Sequence, residues 1–211
     1  MLPTRVARRR FEQLPPERQE EILRVAAEEF ARAGFQRTSY NQLLERLQLG
    51  KSSAYYYFDD KRDLFLTALR RCYERFFAAT RSAKPPSDAE GFWVFLERSA
   101  ELGFEFMLED PTAAALMMCL QREQALLGEL GSTELLVAIE AHYTDLVREG
   151  QRLGTVRTDV PFDLLVALVR DTTMSFDRWF IAARARPADA PSSREAACWY
   201  TDAVQRLCRP A

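Results

Sequence analysis

Lys51, Ser52, Ser53, Tyr55, Tyr56 and Tyr57 stand together in the stretch GKSSAYYYF, Gly50 to Phe58. An ammonium, two serine hydroxyls and three phenols are donors suited to phosphate oxygens and to the edges of bases. Covalent chemistry has no comparable set. The chain holds a single histidine, His142, and no nucleophile elbow, phosphate loop or HExxH run. Its four cysteines, Cys72, Cys119, Cys198 and Cys208, are far apart and lack CxxC spacing, so a Cys/His metal site is not expected. No enzyme, metal or cofactor is read from these residues. The cysteines are expected as small buried hydrophobes.

The element that positions the donors follows from their order. On a helix each residue advances about 100°, so Tyr55, Tyr56, Tyr57 and Phe58 sweep most of the circumference. A globular helix buries one stripe only. Ala54 and Phe58 are four apart and can face Leu43 and Leu47 of a preceding helix. Lys51, Ser52, Tyr56 and Tyr57 are then left on the outer side. The blander alternative is that tyrosine is amphipathic and tolerates half-exposed positions.

The flanks are helical as well. Glycine is scarce, at 8 of 211 residues, and apolar residues recur at helical spacing nearly throughout. The chain is read as all-α, with about nine helices. Helix 1 is expected from Pro16 or Glu17, with Ile22, Val25, Ala26, Phe30 and Ala33 as its stripe. Gly34 is its cap, and Phe35 packs back on it. Thr38 or Ser39 caps a helix carrying Leu43, Leu44 and Leu47. After Gln48-Leu49-Gly50 comes the aromatic stretch. Asp59 or Asp60 then caps a long helix with Leu64, Phe65, Ala68, Leu69, Cys72 and Phe76 buried. The Pro85-Pro86 connection leads to five more helical patterns, near 88–109, 111–127, 133–153, 162–185 and 192–208. This divides the chain into a basic arm at 1–15, a helix-turn-helix unit at 16–60, a linking helix at 60–81 and a body at 82–211.

Composition fits that division. Hydrophobic residues are 47% and charged residues 28%, which is ordinary for a globular chain with a full core. The net charge of −2 is unevenly spread: residues 1–83 carry 16 Lys and Arg against 11 Asp and Glu, the remainder 13 against 20. A basic end on an acidic body points to an anionic partner at one end. The arm RVARRR, with Arg5, Arg8, Arg9 and Arg10, is either a minor-groove or phosphate contact or a solubilising tail. No apolar run approaches the ~18 residues of a membrane span, and the N-terminus has no secretory h-region, so a cytoplasmic protein without membrane contact is expected.

Two short helices joined by a tight turn under a longer one make a helix-turn-helix, whose second helix can enter the major groove. Thr38 to Phe65, TSYNQLLERLQLGKSSAYYYFDDKRDLF, resembles the DNA-binding signature of the tetracycline-repressor (TetR) family of transcriptional regulators. Thr38, Ser39, Leu43, Lys51, Ser53, Tyr55, Tyr56, Tyr57, Phe58 and Lys61 all stand in register with it. AAEEFARAGFQRTS resembles the family's first helix and Gly-Phe exit, and LGTVRTDVPFDLL its stretch before helix 8. Two positions depart: Leu47-Gln48 replaces Ala-Gly in the turn, and Gly50 replaces Ser. Gln48 is therefore expected in a conformation glycine adopts more readily. The resemblance implies that Thr38, beside Ser39, holds a phosphate at the start of helix 2. It implies that Lys51, Ser53, Tyr56 and Tyr57 face bases or phosphates, with Ser52 beside them, and that Tyr55 and Lys61 grip the DNA backbone.

In the body, 163–183 is apolar around most of its circumference. Leu165, Leu168, Thr172, Phe176 and Trp179 form one row, and Leu164, Ala167, Met174 and Ile181 another. A helix buried on two sides meets its own domain and a second copy, so a homodimer through 162–185 and 192–208 is expected, as the family resemblance also implies. Phe104, Met107, Met118 and Phe176 are core by spacing and candidates for lining a largely apolar ligand, with Arg122 and His142 as polar anchors. The expected function is a homodimeric repressor bound to a palindromic double-stranded operator and released by a small hydrophobic effector. The alternative is a non-inducible DNA-binding or partner-binding protein on the same fold.

Overall fold

The computed structural model describes residues 10–81, 83, 86–122, 134–185 and 190–210. Arg5, Arg8 and Arg9 of the arm, Pro85 of the Pro-Pro connection, residues 123–127 of one expected helix and residue 133 of the next lie outside them. Among the described residues there is helix and no strand. The helices include α1 (Pro16–Ala33), α2 (Tyr40–Arg46), α3 (Lys51–Tyr57), α4 (Lys61–Thr80), α5 (Ala89–Glu109), α6 (Pro111–Arg122), α7 (Glu134–Arg152), α8 (Phe162–Ala183) and α9 (Ser193–Cys208). They form two compact units. The first spans 1–75 and 110–135, the second 76–109 and 136–211. None of these helices is long and apolar enough to cross a membrane.

In the first unit, α1 buries Ile22, Ala26 and Phe30, α2 buries Leu43 and Leu44, and α4 buries Leu64, Phe65 and Leu69. Phe65 meets Phe30 edge-on at 5.0 Å and Phe35 at 5.0 Å. Burial of these side chains contributes about 1.5–3 kcal/mol each. Gly34 ends α1 at φ 81°, where a side chain would be strained. Glu29, buried on α1, is ion-paired with Arg32 and with Arg46 of α2, which ties the two helices. The hydrogen bond from Arg32, with Arg46 beside it, holds the Glu29 carboxyl below its ordinary range. α6 packs on α1, and most of its side chains from Ala113 to Leu120 are buried. The segment placed in the body by its position in the chain thus shares a core with the helix-turn-helix.

In the second unit, α5, α8 and α9 pack together. The ring of Phe104 lies 4.5 Å from that of Phe180. Ser192 and Glu195 form a reciprocal capping box at the start of α9. Gly150 sits where a Cβ would lie 2.4 Å from Val156 and 2.8 Å from Phe92, so the turn after α7 closes onto α5 only without a side chain. Arg157 N–H donates to the Cys208 carbonyl at 2.7 Å, fastening that turn to the end of α9.

Candidate nucleic-acid interface and internal cavity

Ser39 caps α2, its hydroxyl accepting from Gln42 N–H. The helix ends in a Schellman turn: Leu49 N–H donates to the Leu44 carbonyl at 2.9 Å and Gln48 N–H to that of Glu45 at 3.0 Å. The residue in the left-handed position is Gln48, at φ 53°, the conformation expected there from sequence. Leu47, 2% exposed, anchors the turn in the core. α3 then starts at Gly50 without a side-chain cap.

Ala54 and Phe58 are completely buried, and this sets the rotation of α3. Lys51, Ser52, Ser53, Tyr55 and Tyr56 face out, and Tyr57 is half-buried. Tyr55 and Tyr56 are 58% and 49% exposed, which makes two of the four rings surface and not core. The exposed rings are still braced. Tyr55 meets Tyr40 at 6.2 Å, and Tyr56 meets Tyr57 edge-on at 5.3 Å. Arg10 lies over the Tyr56 ring at 4.2 Å. Tyr40 went unnoticed in the sequence because it stands one residue inside α2 with nothing to mark it. Its hydroxyl is buried without a partner.

Thr38 and Lys61 are engaged within the protein at the α1–α2 turn. Thr38 is buried, and its hydroxyl donates to the Gly34 carbonyl at 2.7 Å. The Lys61 ammonium donates to the carbonyls of Phe35 at 2.9 Å and Thr38 at 3.0 Å, and lies over the Phe35 ring. Both side chains close the α1–α2 turn instead of projecting from it.

The second unit holds a cavity of about 470 Å³ that opens to solvent along α7, where Ala138, Ala141, His142 and Asp145 are exposed. Phe76, Phe77, Phe95, Phe104, Met107 and Leu146 give it apolar walls. Its polar groups are Arg81, Ser99, His142, Asp145, Thr173, Asp177 and Tyr200. Thr173 and Tyr200 hydroxyls are 2.9 Å apart, and the Ser99 hydroxyl is buried without a partner. His142 stacks 5.2 Å from Phe77. His142 is exposed at the cavity mouth, and partial desolvation by the surrounding protein lowers its pKa from the ordinary 6.5.

Of the residues named from sequence as ligand-lining, Phe104, Met107 and His142 meet at this cavity. Met118 and Arg122 belong to α6 in the first unit and are not among the cavity's lining residues. Phe176 packs instead on Tyr200 at 5.6 Å and Trp179 at 6.1 Å. Ser99, Thr173, Asp177 and Tyr200 were not found, because each is an ordinary residue within an apolar pattern. On α8 the inward row is Leu165, Val166, Val169, Asp177 and Phe180, not either row expected from sequence. Leu164 and Trp179 are exposed on its outer side. Trp199 of α9 is exposed as well, with its ring 5.7 Å from Trp179.

Comparison with known proteins agrees with this geometry. Residues 22–68 match the family described as bacterial regulatory proteins, tetR family. The HTH-type transcriptional repressor KstR2 of Mycolicibacterium smegmatis is 23% identical over 170 residues, covering 79% of this chain and 80% of that protein. The structure of a TetR family transcriptional regulator from Chloroflexus aurantiacus superposes with a TM-score of 0.65 at 21% identity, over 100% of both chains. That of the ketosteroid transcriptional regulator KstR2 of Mycobacterium tuberculosis superposes with a TM-score of 0.63 at 21% identity, over 98% of this chain and 100% of that one. The likeness to these structures extends the shared fold beyond the matched segment, and residues 22–68 carry the DNA-binding segment characteristic of the tetR family of bacterial regulatory proteins.

Proposed function

We propose that the protein is a homodimeric, cytoplasmic repressor that holds a palindromic operator through the outer face of α3 and leaves it when an apolar molecule fills the cavity. The observation that carries the first half is the rotation of α3: Ala54 and Phe58 inside, with Lys51, Ser52, Ser53, Tyr55 and Tyr56 outside. Two such helices in a dimer meet successive major grooves about 34 Å apart. The exposed Trp179–Trp199 pair is the natural centre of the second-copy contact, because paired exposed tryptophans are a poor surface for a monomer. Trp179→Glu is expected to give a monomer by light scattering; an unchanged dimer mass would place the interface elsewhere.

The cavity supports the second half. Its aromatic walls fit a largely apolar body, and the Ser99 hydroxyl, which has no partner among the described residues, can donate to a neutral acceptor such as a ketone or alcohol. The name of the M. tuberculosis structure, a ketosteroid regulator, is in keeping with that chemistry. Release requires that the ligand bind the DNA-free state more tightly than the DNA-bound state. The test uses a duplex selected by the protein from a random library. Androst-4-ene-3,17-dione, a long-chain alcohol and a long-chain carboxylate are each scored for thermal stabilisation and for release of that duplex. Neutral compounds are expected to do both. Stabilisation without release would leave a binding cavity with no switch.

A further inference from the structure

α3 exposes a single cation, Lys51, among hydroxyls and phenols. A second cation reaches its surface from outside the helix. Residues 10–12 form a helical turn before α1, tied to it by the Gln19 side-chain amide, which donates to the carbonyls of Glu12 at 3.1 Å and Leu14 at 2.8 Å. Phe11 is 4% exposed, and its ring lies 4.9 Å from that of Phe58. Phe58 is also the residue that ends α3 in the core, so one apolar contact fixes both the helix and the chain at residue 10. From there Arg10 extends over the Tyr56 ring, its guanidinium carbon 4.2 Å from the centroid. Stacking uses the face of a guanidinium and leaves the in-plane N–H donors at its edge available.

We propose that Arg10 is a DNA-contacting residue that works with Tyr56: the phenol ring holds the guanidinium, and its edge donates to a backbone phosphate beside the groove that α3 enters. This rests on the DNA-binding reading above. Tyr56 then has two tasks, its hydroxyl toward DNA and its ring as the platform for Arg10. A phosphate contact positions the protein without carrying sequence information, so its loss must weaken all duplexes alike.

The test measures binding of the library-selected duplex and of a random-sequence duplex across salt concentrations, for wild type, Arg10→Ala, Arg10→Lys and Tyr56→Phe. Arg10→Ala is expected to weaken both duplexes by a similar factor, roughly three- to tenfold, and to reduce the slope of log affinity against log salt by about 1. Arg10→Lys is expected to restore the slope. Tyr56→Phe, which keeps the platform, should keep the slope. Thermal melting of Arg10→Ala should match wild type, since Phe11 is untouched. A loss confined to the selected duplex would overturn the phosphate assignment. If wild type binds and Arg10→Ala matches it in affinity and slope, Arg10 alone is refuted. If wild type binds neither duplex, the DNA-binding reading falls as well.

Discussion

α3 and the cavity, the two proposed binding sites, are built in opposite ways. α3 buries Ala54 and Phe58 and leaves its polar groups outside, so packing and binding use different residues of one short segment. The cavity is lined by side chains from α4, α5, α7, α8 and α9, among them the core residues Leu96, Phe104, Met107 and Tyr200, so packing and the proposed binding share residues. It follows that contacts at α3 can be removed without loosening the fold, whereas the cavity cannot be changed so freely.

The strongest test of this difference is Phe104→Ala. Phe104 is 3% exposed and packs on Phe180, so truncation should cost about 3–5 kcal/mol in chemical denaturation while altering the cavity. Tyr56→Ala and Lys51→Ala should instead lose about 1–3 kcal/mol of affinity for the selected duplex with melting nearly unchanged. If Tyr56→Ala melts early and binds normally, the separation of roles on α3 is wrong.

A smaller effect should come from His142. Its folded-state pKa is lowered, first by burial and then by Arg81, with Asp145 opposing. The unfolded chain therefore takes up the proton first, near 6.5. Stability is complete above that pH and declines as pH falls below it, until the folded protein is protonated too. Wild type should lose more of its melting temperature between pH 7.5 and 5.5 than His142→Gln; equal losses would remove His142 from the cavity's pH response. The smallest change expected is at the α2–α3 turn. Gln48→Gly relieves the left-handed conformation and should stabilise by about 0.5–1 kcal/mol, read in denaturation midpoints. A destabilised Gln48→Gly would mean that the glutamine side chain is needed in that turn.

Much of the first unit was legible in the sequence. The caps at Gly34, Ser39 and Asp60 and the buried pair Ala54 and Phe58 follow from local rules, because a cap and a helical stripe are set by residues within a turn or two. Asp60 indeed accepts from Asp63 N–H at 2.8 Å. Thr38 and Lys61 were less legible. A donor side chain has the same letters whether it meets a phosphate or a carbonyl, and the carbonyls that Lys61 meets lie 23 and 26 residues earlier.

The second unit shows the limit more sharply. Phe104 and Met107 line the cavity while Met118 does not, although all three sit in similar apolar patterns. A pattern states that a face is buried, not against what. The phase of α8 was open for a related reason: apolar on most sides, it has no stripe to orient it, and the Phe104–Phe180 and Thr173–Tyr200 contacts decide which side turns inward. The sequence by itself determined the helices, their ends and the outer face of α3, all of which depend on short-range spacing. Only the tertiary structure decided that α6 shares a core with α1, that Lys61 closes a turn, and that five helices leave a cavity among them. Those depend on side chains far apart in the chain filling one space, and spacing along a single helix carries no information about its neighbours.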